Sequence, residues 1–291
     1  MRNPLVTIIV PAYNHEKYVL ECLESIQNQT YHDFQWIVVD DCSKDKTPVI
    51  LKENQAKFGY ELILHSKNMG ISATLTEAIR DYSKGKYITI CASDDICLPN
   101  RIEEQLRFMQ ANPKFGMAYS KPLKINQESE EIENHEDYSK CKSGYVFEDV
   151  ICRRFPIGIG AIYRADVLKE VGYYESGVIA EDYFMRCKIA KKYEIGFLDK
   201  YLSKYRVAEL SSKRDPWRLI QSHKQTVDMF KDDPVYPKAV KAWQVNSAGI
   251  LVFYTKYKFK SILFVLRNLD YYITHPRDLF FLGKCLLLIW K

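Results

Sequence analysis

A chain of 291 residues that is 47% apolar and 27% charged can bury a full-sized core and still carry an appendage, which excludes a disordered protein. Its net charge of +5 is uneven: residues 206–291 hold fifteen Lys/Arg against seven Asp/Glu, so that end suits an anionic surface, lipid or nucleic acid. Eight scattered cysteines with no Cys-x-x-Cys pair argue against a zinc ribbon or a secreted disulfide framework, and a reducing cytosol is the simpler expectation. The first residues lack the regions of a signal peptide, and no apolar run reaches the length of a membrane span.

Residues 5–10 form a continuous β-branched run suited to a strand buried on both faces, broken by Pro11-Ala12-Tyr13-Asn14. A helix follows over 16–27, with Val19, Cys22, Leu23 and Ile26 at one-face spacing. A second strand, 34–39, ends in Asp40-Asp41. After the turn at 43–48, a helix is predicted to about Phe58, closed by Gly59. A third strand covers 60–65, a turn Asn68-Met69-Gly70, and a third helix 72–82. The fourth strand, from Gly85, runs into Ser93-Asp94-Asp95.

This alternation predicts an α/β fold, a doubly wound, mostly parallel sheet flanked by helices, which binds ligands beyond the carboxyl ends of its strands. Three of the four strands end in polar or acidic turns, at Tyr13-Asn14, Asp40-Asp41 and Asp94-Asp95. If neighbours, they share one crevice. A helix at 101–110 and a strand at 115–119 continue the pattern, and the acid-rich stretch 124–144 reads as a solvated excursion. A strand is expected over 157–163, then a short helix over 164–170 stopped at Gly172, then a helix to Lys192 opened by Glu181-Asp182. From about Asp215 the periodicity is helical, over 217–230, 237–254 and 259–272, and the run 279–290 is apolar nearly all round.

Two adjacent carboxylates at a strand's end call for a cation, so Asp94-Asp95 suggests a divalent metal bridging to phosphate oxygens. An acid at Asp40-Asp41 could accept a hydrogen bond from a base imide or ribose hydroxyl. Signalling receiver domains also carry an acidic pair after a strand, but this pair follows the second strand of a much longer chain. Tyr13 either stacks on a base or packs in its turn, and Glu181-Asp182 taken alone are common helix-cap and dipole partners.

The ordered set Val10-Pro11-Ala12-Tyr13-Asn14, Gln29-Thr30 before Val38-Val39-Asp40-Asp41-Cys42-Ser43, Asn68-Met69-Gly70, Ser93-Asp94-Asp95 and Glu181-Asp182 resembles the family 2 glycosyltransferases of GT-A fold. The resemblance covers residues 4–206. It implies that Pro11, Tyr13 and Asp41 line a nucleoside pocket, with Asn14, Asn68 and Gly70 also on the donor side. Asp94 then lies near the ribose or metal, Asp95 ligates Mg²⁺ or Mn²⁺ at the donor's diphosphate, and Asp182 is the catalytic base with Glu181 beside it. Two positions depart from the family pattern. Leu75-Thr76 stand where many relatives carry Arg-Asn, and Tyr205-Arg206-Val207-Ala208 where many carry Tyr-Arg-x-His. A water, Arg206 or His223 are the candidates to replace that missing His ligand.

The implied activity is inverting transfer of a sugar from a nucleotide diphosphate, UDP favoured, to a hydroxyl of a glycan or lipid-linked oligosaccharide in bacterial cell-surface polysaccharide synthesis. The implied organisation is a catalytic domain over 1–206 and a helical region over 207–291, in a cytoplasmic protein that does not bind nucleic acid. The helical region either meets the inner face of the cytoplasmic membrane, through Lys256, Lys258, Lys260, Arg267, Arg277, Lys284 and Trp290, or packs on the catalytic domain or a second subunit as a homodimer. Rival readings are a sugar-phosphate nucleotidyltransferase, for which no Gly-rich phosphate loop follows the first strand, and a non-catalytic nucleotide-binding or signalling module.

Overall fold

The computed structural model describes residues 4–156, 160–207, 216–280 and 283. Two compact units divide the chain near residue 211, with Ile151–Arg153 grouped with the second.

In the first unit, β1 (Val6–Ala12) is central, because its Val, Ile and Thr side chains are buried on both faces. It pairs in parallel with β2 (Phe34–Asp40) on one side and β4 (Tyr87–Ile90) on the other, with β3 (Glu61–Leu64) parallel to β2 at the edge. β1 runs through Pro11 instead of stopping before it. Pairing with β4 ends at Ile9, so the proline lies where β1 has lost one neighbour. The helices α1 (Val19–Gln27) and α2 (Thr47–Phe58) bury Leu23, Ile26 and Leu51 in the core shared with Val6, Ile8 and Val38. Gly59 closes α2 at φ +75°, a conformation that costs glycine little. The third helix is shorter than expected: α3 (Ile71–Glu77) passes into a π-turn at Ala78–Tyr82, closed by a Ser83 N–H bond to the Ala78 carbonyl.

Beyond β4 the sheet is mixed. The order among the described residues is β3-β2-β1-β4-β8-β6-β9-β5, where β5 is Ile96–Cys97, β6 Phe115–Ile125, β8 Ile162–Arg164 and β9 Glu194–Arg206, with β7 (Glu131–Ile132) against β6. β8 runs antiparallel between β4 and β6, while β6 and β9 are parallel. The expected strand over 157–163 is thus confined to its last part among the described residues, and 157–159 lie outside them. No periodic pattern in the sequence marks β9. Its burial is irregular, with Asp199, Lys200 and Tyr201 exposed mid-strand, and its register against β6 shifts at Ser120 and Lys121. Helices α4 (Arg101–Ala111), α5 (Phe147–Ile151), α6 (Ala165–Val171) and α7 (Glu181–Lys192) complete the unit.

The second unit is helical. α8 (Pro216–Asp228), α9 (Tyr236–Leu251), α10 (Lys258–Arg267) and α11 (Leu269–Thr274) enclose Ile220, Ala248, Leu251, Phe264 and Tyr272. The single helix expected over 259–272 is split at Asn268, whose side-chain amide donates to the Phe264 carbonyl and to Gln244 Oε1. His223 is buried here with Nδ1 3.1 Å from Arg153 Nη1. Among the described cysteines there is no disulfide.

Candidate active site

The carboxyl ends of β1, β2 and β4 are bound to one another by side chains. At β1, Asn14 adopts φ +56°; its backbone N–H donates to Ser43 Oγ at 2.9 Å, and its Oδ1 accepts from the Lys44 N–H at 2.7 Å. Tyr13 beside it is 44% exposed, so one end of its ring is available to a ligand. Next in the chain, His15 Nδ1 lies 2.7 Å from Ser93 Oγ, and its Nε2 is 3.7 Å from Asp94 Oδ2.

At β2 the two acids divide. Asp41 takes backbone N–H bonds from Met69 at 2.7 Å and Gly70 at 2.8 Å, and its Oδ1 is 2.8 Å from His65 Nδ1. Asn68 Nδ2 donates to the Asp41 carbonyl at 3.1 Å. Asp41, Asn68 and Gly70 therefore come together, and the carboxylate first of all shapes the turn that opens α3. Asp40 Oδ2 accepts from the Ser43 N–H at 3.0 Å, while its buried Oδ1 has no hydrogen-bond partner among the described residues.

Asp94 and Asp95 follow β4 in a turn closed by the Asp95 N–H on the Ala92 carbonyl. Asp95 is buried; that burial, and Asp94 beside it, hold its carboxyl well above the usual carboxylate range. Among the described residues no three His, Cys, Asp or Glu side chains are arranged to hold a metal. Two adjacent acids, one strained by its neighbour's charge, fit a hard divalent cation that completes its shell with substrate phosphate and water.

Arg206, at the end of β9, organises this turn. Its backbone N–H donates to Asp95 Oδ1 at 3.0 Å and its Nε to the Asp94 carbonyl at 2.8 Å. Nη1 donates to the carbonyls of Asn126 and Gln127, and Nη2 to Glu21 Oε2 and Ser129 Oγ, with the guanidinium 4.4 Å over the Tyr18 ring. Of the three candidates to replace the missing His ligand, Arg206 has its buried head already committed to partners within the protein. His223 is buried among the helices of the second unit, and Ala208 lies outside the described residues. Leu75 is a core residue and the Thr76 hydroxyl donates to the Tyr174 carbonyl, so this stretch offers the site no cation.

Glu181 and Asp182 open α7. The Tyr183 N–H donates to Asp182 Oδ1 at 2.6 Å, and Arg186 Nη2 lies 3.1 Å from Oδ2. Glu181 is pushed up to about 7 by burial and by Asp182. The Tyr205 hydroxyl is pushed up to about 12, by burial first and then by the charges of Asp95, Asp94, Asp182 and Glu136. Sequence reasoning passes over His15 and names Ser93 and Tyr205 only within their motifs, because no spacing rule links them to the acids they face.

The Glycosyl transferase family 2 model matches residues 7–172. An uncharacterized glycosyltransferase of Methanocaldococcus jannaschii is 31% identical over 212 residues, 71% of this chain and 72% of the relative. Chondroitin synthase of Escherichia coli is 33% identical over 190 residues, 65% of this chain but 27% of that longer protein. S. aureus TarS in complex with UDP-GlcNAc superposes with a TM-score of 0.68 at 20% identity, over 89% of this chain and 79% of that one. The mannosyltransferase PcManGT of Pyrobaculum calidifontis, in complex with GDP-Man and Mn²⁺, gives 0.57 at 18% identity over 92% and 88%. With the family model covering more than half of its length and a mixed sheet flanked by helices in the GT-A manner, the chain belongs to glycosyltransferase family 2.

Proposed function

We propose that the protein is an inverting hexosyltransferase that moves a sugar from UDP to a hydroxyl of a glycan or lipid-linked oligosaccharide. The observation that carries this reading is the family 2 match over residues 7–172, with Asp94 and Asp95 in the turn that follows β4 and Asp182 in the first turn of α7. The UDP-GlcNAc and UDP complexes of TarS support a uridine donor, and the Mn²⁺ of PcManGT supports a divalent cation.

Tyr13 stacks on the base, Pro11 and Asn14 border it, and Asp41 with Asn68 and Gly70 forms the wall of the nucleoside pocket. Asp94 and Asp95 hold Mg²⁺ or Mn²⁺, which when bound neutralises charge on the departing diphosphate. Asp182 takes the proton of the acceptor hydroxyl as its oxygen bonds to the anomeric carbon. The bond from that carbon to the diphosphate oxygen breaks, and its electron pair leaves with UDP. Attack opposite the leaving group inverts the anomeric configuration.

UDP with Mn²⁺ or Mg²⁺, at a hundredfold excess over its Kd, is expected to raise the melting temperature by roughly 5–10 °C, and UDP alone far less. The metal-dependent gain grows as pH rises, since the cation must displace the proton that burial favours on Asp95. Stabilisation by GDP or dTDP in place of UDP reassigns the nucleoside, and no stabilisation by any nucleotide with metal defeats the reading.

Glu181 gives a second expectation. Its folded-state pKa is raised, so folding favours the protonated acid: that stability is present below about 4.5 and is lost as pH rises through about 7. Glu181→Gln fixes the neutral form. Denaturant titrations should show wild type losing roughly 1–3 kcal/mol more than the variant between pH 4.5 and 7.5. Parallel pH curves for the two proteins contradict the raised pKa.

A further inference from the structure

The second unit leaves a row of large apolar side chains exposed along α10 and α11. Phe259, Ile262, Leu266, Leu269 and Ile273 recur at alternating intervals of three and four residues, and Phe259, Leu266 and Ile273 are 78, 58 and 75% exposed. The inward residues of the same helices, Ser261, Phe264, Val265 and Tyr272, are buried. These helices therefore have two apolar faces, of which one builds the core and the other contributes nothing to it. Leu279 and Phe280 extend the exposed apolar surface. Such surface on a monomer marks an interaction site more often than chance.

The surroundings of the row are basic. Lys256, Arg267 and Arg277 are exposed and Lys258 is half-buried beside it. Of the acids in this stretch, Asp270 is bridged by Lys241, and Asp278 accepts the Tyr271 hydroxyl at 2.8 Å. We propose that this face docks on an anionic membrane surface, with α10 and α11 lying in the interface, the apolar row among the acyl chains and the cations at the headgroups.

The charge around the row and its length favour this occupant. Among the described residues no helix is long and apolar enough to cross a membrane, and helices that lie in the interface need no such length. A second copy docking face to face would gather the cations of both copies into one interface whose acids, Asp270 and Asp278, are already engaged, which is repulsive. The row spans two short helices broken at Asn268, less than the three or four heptads a coiled coil needs. An anionic bilayer accepts both the apolar row and the cations, each Lys or Arg near its surface being favourable. The inference does not depend on which nucleotide sugar the first unit uses.

The test is co-sedimentation of the full chain with vesicles of phosphatidylcholine plus phosphatidylglycerol and with pure phosphatidylcholine vesicles. The expected result is binding to the anionic vesicles, about tenfold or more weaker on pure phosphatidylcholine and weakened again by salt. Phe259→Ser with Ile273→Ser, both at exposed positions, should reduce binding at least about tenfold with an unchanged circular dichroism spectrum. Arg267→Glu with Arg277→Glu should remove the preference for anionic lipid. Binding unaffected by the Ser pair overturns the proposal. So does a dimer seen by light scattering that the Ser pair dissociates, which assigns the face to a second copy. Absence of vesicle binding by the wild-type chain overturns it as well.

Discussion

Replacing Asp182 by Asn is expected to slow sugar transfer by about 10²–10⁴-fold while leaving UDP-dependent thermal stabilisation in place. The side chain is anchored from two sides, by the Tyr183 N–H on Oδ1 and by Arg186 on Oδ2, yet 46% of it remains exposed, so an acceptor hydroxyl can reach it. Asn keeps the shape and can still accept from Tyr183. It cannot take a proton, so the acceptor oxygen must attack while still bearing its own. The effect should fall on kcat rather than on the KM for the nucleotide sugar, because a base in the proposed role acts on the acceptor and not on the donor. Glu181→Gln, one residue away, should cost much less. Turnover of isotope-labelled donor to product, measured in both variants, distinguishes the roles: transfer unchanged in Asp182→Asn removes it as the base.

The first half of the fold is legible because it obeys the simplest rule. Strands buried on both faces read as unbroken apolar runs, as in Leu5–Val10 and Trp36–Val39, and glycine marks where a helix must stop, as at Gly59 and at Gly172 with φ +86°. The second half follows no single period. β8 enters antiparallel between β4 and β6, an insertion that no local pattern encodes, and β9 mixes buried and exposed positions because its register shifts against β6. The α3 pattern predicted one helix, and the backbone slips into a π-turn after Glu77 without any change in apolar spacing.

The candidate site divides in the same way. Acids at strand ends can be read from sequence, since a polar pair after a buried run is a local signal. What arranges them is not local. His15 meets Ser93 across 78 residues of chain, and Arg206 meets Glu21 across 185. Asp41 is the instructive case. Its position pointed to a ligand, whereas its carboxylate is already engaged by Met69, Gly70 and His65, so it shapes the pocket wall whatever else it binds.

Arg206→Lys is the substitution that tests whether the acid turn must be held from behind. Arginine is required there by count: its guanidinium donates to the carbonyls of Asp94, Asn126 and Gln127, to Ser129 Oγ and to Glu21, from one planar head that is almost wholly buried. Lysine keeps the charge but has a single nitrogen, so several of these carbonyls lose their donor at about 1–3 kcal/mol for each one left buried. Relief is greatest at Glu21, whose side chain is 41% exposed and can return to water. The Lys variant should fold with a stability loss of roughly 2–4 kcal/mol in chemical denaturation. The Arg206 backbone N–H still reaches Asp95 in either protein, so what loosens is the Asp94 carbonyl and the turn around it. Asp94 and Asp95 should then present their carboxylates less uniformly, and the Mn²⁺ concentration for half-maximal UDP binding should rise about tenfold or more, read by calorimetry without turnover. Arg206→Ala removes every one of the guanidinium contacts and should lose more stability still. A Lys variant with reduced stability but an unchanged Mn²⁺ requirement shows that the clamp serves the fold alone. A matched rise in Mn²⁺ requirement and fall in kcat/KM shows that the buried arginine sets the geometry of the acid pair.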